Sequence, residues 1–197
     1  MSFAARHPRA WHLVEGDGLA GVRREGLLPA ALLKARAGIA DGGNREAYRR
    51  IGEAVLRPQY MRDQRLLPSL HGRFAGDAAA WRGFVDAHVF FWADEARVAG
   101  FVGATRRMRQ AQEPGAPPPV LLEFDTAALL AGLAAPAFFT RVNSGSTLRG
   151  GARIIRDEAL FQPVAAWRAG RAAELAVRGP VPAGALRAAL RRESVAA

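Results

Sequence analysis

The order of helix-like and strand-like segments constrains the fold of this chain more than any other feature of its sequence. Segments with a helical spacing of apolar residues cluster in the first half of the 197 residues, and short apolar segments become denser in the second half. A doubly wound parallel sheet would need strands and helices in regular alternation. We therefore predict the α+β class, with a single domain in which helices flank one mixed sheet.

Local signals place the individual elements. Short runs rich in apolar, aromatic and β-branched residues are typical of strands, and they occur at residues 10–14, 88–93, 120–125, 137–142 and 173–177. Asp and Asn favour the start of a helix, because their side chains accept backbone N–H bonds there. Asp17, Asn44, Asp77 and Asp94 each precede a helical pattern of this kind. The helix after Asp17 is expected to stop at Gly26, and the helix after Asn44 carries Tyr48, Ile51 and Val55 on one face. We expect two further helices, one after residue 125 and a basic one over residues 183–193.

The proline-rich segment 113–120 is the main interruption of this pattern. Three consecutive prolines favour an extended, exposed connector, which would either join two domains or form a surface loop. Because the segments on its two sides look like parts of one sheet, we predict a surface loop within a single domain that spans residues 1–197.

The chain is strongly basic, with a net charge of +10 and a pI of about 11.5. Such a charge attracts polyanions, nucleic acid above all. Arginine supplies nearly all of it, because Lys34 is the sole lysine, and alanine is also abundant. A GC-rich genome would produce the same composition without selection for binding, so a DNA or RNA partner is one of two open interpretations.

The sequence also excludes several classes of protein. It contains no cysteine, so disulfides and thiolate metal sites are excluded, and its four histidines do not have a metal-binding spacing. Neither of the glycine-rich motifs that bind nucleotide phosphates occurs. No apolar run is long enough to span a bilayer, and the first residues lack the apolar core of a secretory signal. We expect a cytoplasmic protein without a metal or membrane partner.

A single histidine, His12, lies within the apolar strand segment 10–14. A buried imidazole needs a partner for each ring nitrogen, and backbone carbonyls and hydroxyl groups supply such partners inside a core. The same nitrogens can instead bind the hydroxyl groups of a ligand. Taken alone, this segment favours the core interpretation.

Glu174 opens the last apolar strand segment, where carboxylates are rare unless they are paired or functional. The alternative is a glutamate that faces solvent from an edge strand. The stretch by itself favours neither interpretation.

Three further stretches contain candidate ligand contacts, each with a structural alternative. Arg62 could bind a phosphate through two N–H groups or lie in a solvated loop. Asn143 and Ser144 begin a run of small polar residues and glycines, which either brings backbone N–H groups to a ligand or forms a plain turn. Phe91 and Trp92 are most simply core residues, although one of the rings could stack on a flat ligand.

The order of these motifs resembles that of ADP-ribosyltransferase-fold proteins. The segment "WHLVEGDGLAGVRREGLL" (residues 11–28) is similar to their opening strand with a histidine, the short helix that follows, and a Gly-Leu pair. "HVFFW" (residues 88–92) resembles their second strand motif, and "AELAVRGPVP" (residues 173–182) resembles the glutamate strand of the toxin group. The chain looks most like the DNA-targeting ADP-ribosyltransferase toxins, the tRNA 2′-phosphotransferases and a related bacterial branch.

The resemblance implies a split sheet and NAD as a substrate. It implies that His12 hydrogen-bonds the ribose on the nicotinamide side and that Phe91 or Trp92 lies near the nicotinamide. Glu174 would be the catalytic glutamate, which stabilises positive charge as nicotinamide leaves. Arg62 would also contact NAD.

Asn143 and Ser144 would complete the NAD site. The second motif departs from the family, since Phe and Trp stand where many relatives have Tyr. The NAD-holding loop of the toxins has no residue-for-residue match.

Two alternatives remain open. One is the transfer of an RNA 2′-phosphate to NAD, for which Arg62, Arg65 and Arg149 would have to surround the phosphate. The other is a non-catalytic, basic nucleic-acid-binding module on the same fold, which the net charge and the terminal basic helix favour.

Overall fold

The fold consists of short strands and helices, which a computed structural model describes for residues 1–40, 42–43, 45–59, 61–147 and 153–195. Within those ranges the strands are β1 (Arg9–Val14), β2 (Arg49–Ile51), β3 (Ala54–Leu56), β4 (His88–Trp92), β5 (Val120–Asp125), β6 (Ala137–Thr140), β7 (Gln162–Pro163), β8 (Glu174–Arg178) and β9 (Leu190–Val195). The α-helices are α1 (Phe3–Arg6), α2 (Leu19–Glu25), α3 (Ala30–Arg36), α4 (Asp63–Leu66), α5 (Ala78–Asp86), α6 (Glu95–Gln112), α7 (Thr126–Ala131) and α8 (Ala183–Ala189).

Seven of these strands form one sheet in the order β7-β6-β8-β4-β1-β5-β9, and β2 and β3 form a separate hairpin. The predicted α+β class, with helices that flank a single large sheet, is confirmed. We expected mixed strand directions, but each ladder within the large sheet is antiparallel.

The sheet is split between β1 and β4. These two strands pair at a single position, Trp11 with Trp92, whereas β1 pairs with β5 along its whole length. Beyond that pair the strands separate, which divides the sheet into a β7-β6-β8-β4 half and a β1-β5-β9 half. An opening therefore lies in the middle of the sheet and not at its edge.

Apolar clusters cover both faces of the sheet. Successive side chains of a strand point to opposite faces, and along β8 Leu175 and Val177 belong to one cluster while Ala176 belongs to the other. The larger cluster also contains Phe91, and the smaller one contains Trp81. Burial on both faces explains why the strand segments look almost continuously apolar in the sequence.

The predicted helix over residues 44–55 is wrong, and Asn44 itself lies outside the described residues. The chain forms the β2–β3 hairpin there instead. Gly52 adopts a φ of 59°, which favours glycine and allows a tight turn between the two strands. Ile51 and Val55 are β-branched, so they fit strands at least as well as one face of a helix.

Two other boundaries also differ from prediction. Asp17 does not cap α2; its carboxylate is held by the guanidinium groups of Arg50 and Arg109, and the helix begins after Gly18 without a side-chain cap. The basic terminal helix ends at Ala189, because residues 190–195 form the edge strand β9 against β5.

The remaining local predictions are confirmed. Asp77 accepts from the Ala80 amide at 2.8 Å, and Asp94 accepts from the Ala96 amide at 3.1 Å. Gly26 ends α2 with a φ of 92°, and a Cβ there would lie only 2.1 Å from the Val181 carbonyl oxygen. The proline-rich segment forms a mostly exposed loop between α6 and β5.

Candidate functional site

A cavity of about 490 Å³ occupies the opening between the two halves of the sheet. It is lined by residues of β1, β3 and β4, by helices α2, α3 and α6, and by the segment that follows β6. His12 and Glu174, which come from opposite ends of the chain, both line this cavity. The split in the sheet therefore brings together the two polar residues that stood out in apolar strand segments.

His12 bridges the split. Its Nδ1 lies 2.7 Å from the Phe90 carbonyl oxygen on β4, and since a carbonyl only accepts, Nδ1 carries the proton. Burial, together with the nearby Arg57 guanidinium, lowers the pKa of His12 to about 4. The ring is therefore neutral at physiological pH, and its Nε2 is an acceptor for a ligand hydroxyl group.

His12 and Glu174 lie on different faces of the pleat, although they border one cavity. The strand register pairs Trp11 with Trp92 and Trp92 with Glu174, which places these three side chains on one face. His12 follows Trp11, so it points to the other face, where its ring centroid is 5.5 Å from that of Phe91. A ligand that contacts both residues must therefore enter the opening itself.

Glu174 is buried and held by hydrogen bonds, and no cation of the described residues is paired with it. Its Oε2 accepts from the Ser144 amide at 3.0 Å, from the Ser144 hydroxyl at 2.8 Å and from the Thr140 hydroxyl at 2.9 Å. These bonds all end on Oε2, which leaves Oε1 for a ligand. Burial raises the pKa of Glu174, and the bonds from Ser144 and Thr140 offset only part of that effect.

Both protonation states of Glu174 find partners at this position. The Thr140 hydroxyl lies 2.7 Å from the Val142 carbonyl oxygen as well as 2.9 Å from Glu174. It donates to the carboxylate when Glu174 is charged. When Glu174 is protonated, the carboxyl group can donate to the hydroxyl, which then donates to the carbonyl. The single Thr140 hydroxyl proton therefore serves the carboxylate in the charged state and the Val142 carbonyl in the protonated state.

The two aromatic candidates lie on different faces. Trp92 is half-buried, lines the cavity on the same face as Glu174, and has its ring 5.2 Å from that of Phe101. Phe91 is fully buried, and its ring also packs at 5.6 Å from that of Phe124 in the core. Trp92 is therefore the better placed of the two to contact a flat ligand ring beside Glu174.

The other predicted contacts are only partly brought together. Asn143 lines the cavity, while Ser144 is fully buried behind it and acts on Glu174. Arg62 and Arg65 are exposed on and beside α4, and neither lines the cavity. Arg149 lies outside the described residues.

Arg57 is a cavity residue that the sequence did not reveal. Its Nε donates to the Glu15 carboxylate at 2.6 Å and its Nη2 donates to the Leu13 carbonyl, which leaves Nη1 for a ligand. Its guanidinium lies 5.8 Å from the centre of the Phe101 ring. The residue follows an apolar stretch and precedes a proline, but nothing local indicates that Glu15, far away in sequence, holds it in place.

A second buried carboxylate, Asp86, also lines the cavity but is fully paired. Its Oδ2 lies 2.6 Å from the Lys34 ammonium, and its Oδ1 lies 2.6 Å from Arg45 and 3.3 Å from the Gln59 amide nitrogen. The Lys34 ammonium also donates to the Gly43 carbonyl at 3.2 Å. This cluster fixes α3, α5 and the hairpin around the cavity.

The described residues contain neither a metal-binding cluster nor a helix suited to cross a bilayer. No group of three or more His, Cys, Asp or Glu residues there is arranged to hold a metal ion. Of the helices that the structure describes, none combines the length and the apolar character that crossing a bilayer requires.

Comparison with known proteins adds a family but no activity. The model of a family of unknown function (DUF7002) matches residues 8–185. No curated protein matches the chain. The matched range contains the whole wall of the cavity, from β1 to Glu174.

Proposed function

The chain belongs to the family of unknown function DUF7002, and we propose that it binds NAD and transfers ADP-ribose to an acceptor. One observation carries the proposal. Glu174, a buried carboxylate without a paired cation among the described residues, and His12, a neutral histidine with a fixed tautomer, line the same cavity at a split in the sheet. This arrangement fits the resemblance to ADP-ribosyltransferase-fold proteins noted in the sequence.

The reaction needs a stabilised positive charge. The bond between ribose C1′ and the nicotinamide nitrogen breaks, and its electron pair leaves with nicotinamide. An oxygen or nitrogen atom of the acceptor forms the new bond to C1′ and releases its proton to solvent. Charge develops on the ribose during this step, and an uncompensated carboxylate in a site of low dielectric stabilises it strongly. Glu174 is suited to this role because its bonds from Ser144 and Thr140 orient it without neutralising it.

The other cavity residues would bind the substrate. His12 Nε2 would accept from a ribose hydroxyl group, and Trp92 would lie against the nicotinamide ring. The free Nη1 of Arg57 would bind the diphosphate, because Arg57 lines the cavity and Arg62, the phosphate contact predicted from the sequence, does not. Asn143 would contribute a polar contact near the ribose.

The acceptor is proposed to be nucleic acid, which the net charge of +10 favours. A cytoplasmic location would supply the NAD that this reaction consumes. Both assignments are predictions.

A direct test is to incubate the protein with labelled NAD and measure nicotinamide release, first with water alone and then with nucleic-acid, protein and small-molecule acceptors. We expect binding of NAD and slow release that an acceptor accelerates, and we expect Glu174→Ala to abolish release while still binding NAD. Arg62→Ala serves as the matched control, because its exposed side chain does not line the cavity. Failure of NAD to bind or to be consumed under all of these conditions contradicts the proposal.

A further inference from the structure

Four exposed arginines surround one loop at the end of the sheet where Glu174 lies. They are Arg6 at the end of α1, Arg141 directly after β6, and Arg168 and Arg171 in the loop that leads into β8. We call them the Trp167 arginine patch, after the buried residue around which they gather.

Trp167 holds the three segments of the patch together. Its ring packs at 5.4 Å from the Phe3 ring of α1 and at 4.8 Å from the Phe139 ring of β6. The Ala172 amide donates to His7 Nε2 at 3.3 Å, which ties the loop to the end of α1 a second time. Buried contacts therefore hold the four arginines close to one another.

The positive charge of the patch is not neutralised within the part of the chain that the structure describes. None of its four arginines has a carboxylate oxygen within 4.0 Å there. Arg141 donates to the Ala169 carbonyl at 3.2 Å, and Arg168 donates to two backbone carbonyls, none of which carries a net charge. The nearby Asp94 is itself paired with Arg97 at 3.6 Å.

Some exposed arginines elsewhere are paired: Arg23 binds the Glu193 carboxylate at 2.7 Å, and Arg9 binds Glu123 at 3.1 Å. Exposed arginines without a salt bridge also occur on other described segments, for example Arg107 on α6, Arg178 on β8 and Arg192 on β9. The patch differs from these in that its four arginines gather around one buried residue, Trp167.

The patch lies at the end of the sheet that carries Glu174. Arg141 directly follows Thr140, whose hydroxyl group bonds Glu174. Arg171 precedes Glu174 by three residues, which is a distance of about 10 Å at most along an extended chain. The Trp167 ring packs on Phe139, which pairs with Leu175, so this ring and the Glu174 side chain lie on opposite faces of the sheet. A polymer bound on the patch would therefore reach the cavity around this end of the sheet, along the segment from Arg141 to Asn143.

We propose that the Trp167 arginine patch binds the phosphate backbone of a nucleic-acid strand and presents that strand to the cavity. The presentation step rests on the proposed function, whereas binding of the strand does not. Guanidinium groups bind phosphate oxygens through two parallel N–H bonds, and a strand offers such phosphates at regular intervals.

The test compares two triple variants that lose the same charge. The patch variant combines Arg141→Ala, Arg168→Ala and Arg171→Ala. The control variant combines Arg107→Ala, Arg178→Ala and Arg192→Ala. These three control arginines are exposed, lie elsewhere on the molecule and also form no salt bridge with a described residue. Binding of a short fluorescent single strand, DNA or RNA, is measured by anisotropy without NAD over a series of salt concentrations. We expect the affinity of the patch variant to fall at least tenfold. The slope of log association constant against log salt concentration should become shallower by about 2, because each lost phosphate contact on a single strand reduces it by roughly 0.7. The control should change both quantities much less.

Further variants and a competitor test the same proposal. The patch variant with lysine in place of alanine keeps the charge and should recover most of the binding, which separates lost contacts from a folding defect. Equal losses in the two alanine variants, or no binding by the natural protein, would overturn the proposal. So would displacement of the strand by polyglutamate at equal charge concentration, since the patch would then be a site for acidic proteins. Glu174→Ala should bind the strand normally, so a failure of NAD chemistry and a failure of the patch are distinguishable.

Discussion

Glu174 and Asp86 are both buried carboxylates that line the same cavity, but their surroundings differ. Asp86 is bonded by the Lys34 ammonium and the Arg45 guanidinium, each at 2.6 Å. Glu174 is bonded by the hydroxyl groups of Ser144 and Thr140 and by a backbone amide. Cations neutralise the first carboxylate, whereas neutral donors only orient the second.

This difference separates a structural carboxylate from one that is available to a ligand. A buried ion pair that loses one partner leaves the other charge without compensation, so Asp86 is needed for folding. No cation of the described residues is paired with Glu174, and burial raises its pKa although the Arg97 guanidinium and the bonds from Ser144 and Thr140 lower it in part. A positive charge that develops on a ligand would be the partner that Glu174 lacks.

The largest expected effect is on stability, from Asp86→Asn. The substitution leaves the Lys34 ammonium, which is only 1% exposed, without its carboxylate, and we expect a loss of about 3–5 kcal/mol in the free energy of unfolding. Urea denaturation measures it. The double variant Lys34→Met with Asp86→Leu leaves only the partly exposed Arg45 guanidinium without its carboxylate and should lose less. A loss below about 1 kcal/mol for Asp86→Asn would show that the ion pair is not structural.

Glu174→Gln, unlike Asp86→Asn, should lower activity without lowering stability. The amide oxygen still accepts from Ser144 and Thr140, but no charge faces the substrate, so kcat should fall by about 10²–10³-fold. The free energy of unfolding should stay the same or rise, because a buried charge is removed. Nicotinamide release and urea denaturation on the same sample check both points. Destabilisation on the scale of Asp86→Asn would remove the distinction between the two carboxylates.

Ser144→Ala should shift the pH dependence of the reaction. It removes one donor to the Glu174 carboxylate, so the pKa of Glu174, already raised by burial, rises further. The active carboxylate form is then lost at a higher pH as the solution is acidified, and the acidic limb of the pH–rate profile moves upward. On that limb we expect about a tenfold loss of rate, the effect of one hydrogen bond to a charged group. Ser69→Ala, another fully buried serine, is the matched control and should leave the limb in place.

A further expected effect concerns His12 and the pH dependence of stability. The pKa of His12 is about 4 in the folded protein and 6.5 ordinarily, so as pH falls through this window the unfolded chain gains a proton that the folded chain does not. Stability therefore declines between about pH 6.5 and pH 4. His12→Asn keeps a donor for the Phe90 carbonyl but does not titrate, and it should make this decline shallower by about 2 kcal/mol near pH 5.

Urea unfolding midpoints from neutral to acidic pH measure that difference. His7 and His88, whose pKa values are also lowered by burial, should account for the decline that remains in His12→Asn. An identical slope in the variant and the natural protein would mean that His12 does not titrate in this window.

The sequence predicted local structure correctly where a residue acts on its own neighbours. Asp77 and Asp94 cap the helices that follow them, and Gly26 ends α2 because its positive φ suits glycine. The same reasoning failed over residues 44–55, since the apolar spacing there fits a helix and a hairpin alike, and the turn at Gly52 made the difference.

Candidate site residues could be found in sequence when they were polar residues in apolar strands. His12 and Glu174 stood out for this reason, and Asn143 and Ser144 stood out through their small polar neighbours. Arg57 gave no such signal, because what distinguishes it from other arginines is its bond to Glu15 across the cavity.

The sequence by itself determined five of the strands, the helix caps Asp77 and Asp94, the basic charge and the two polar residues within buried strands, because these follow from each residue and its near neighbours. Only the tertiary structure decided that β1 and β4 separate after Trp11 and Trp92, and that His12 and Glu174 border the resulting cavity. It also decided which carboxylate is paired, since the cations that hold Asp86 come from other segments of the chain. Strand pairing and ion pairing join residues that are distant in sequence, so no local pattern of residues encodes them.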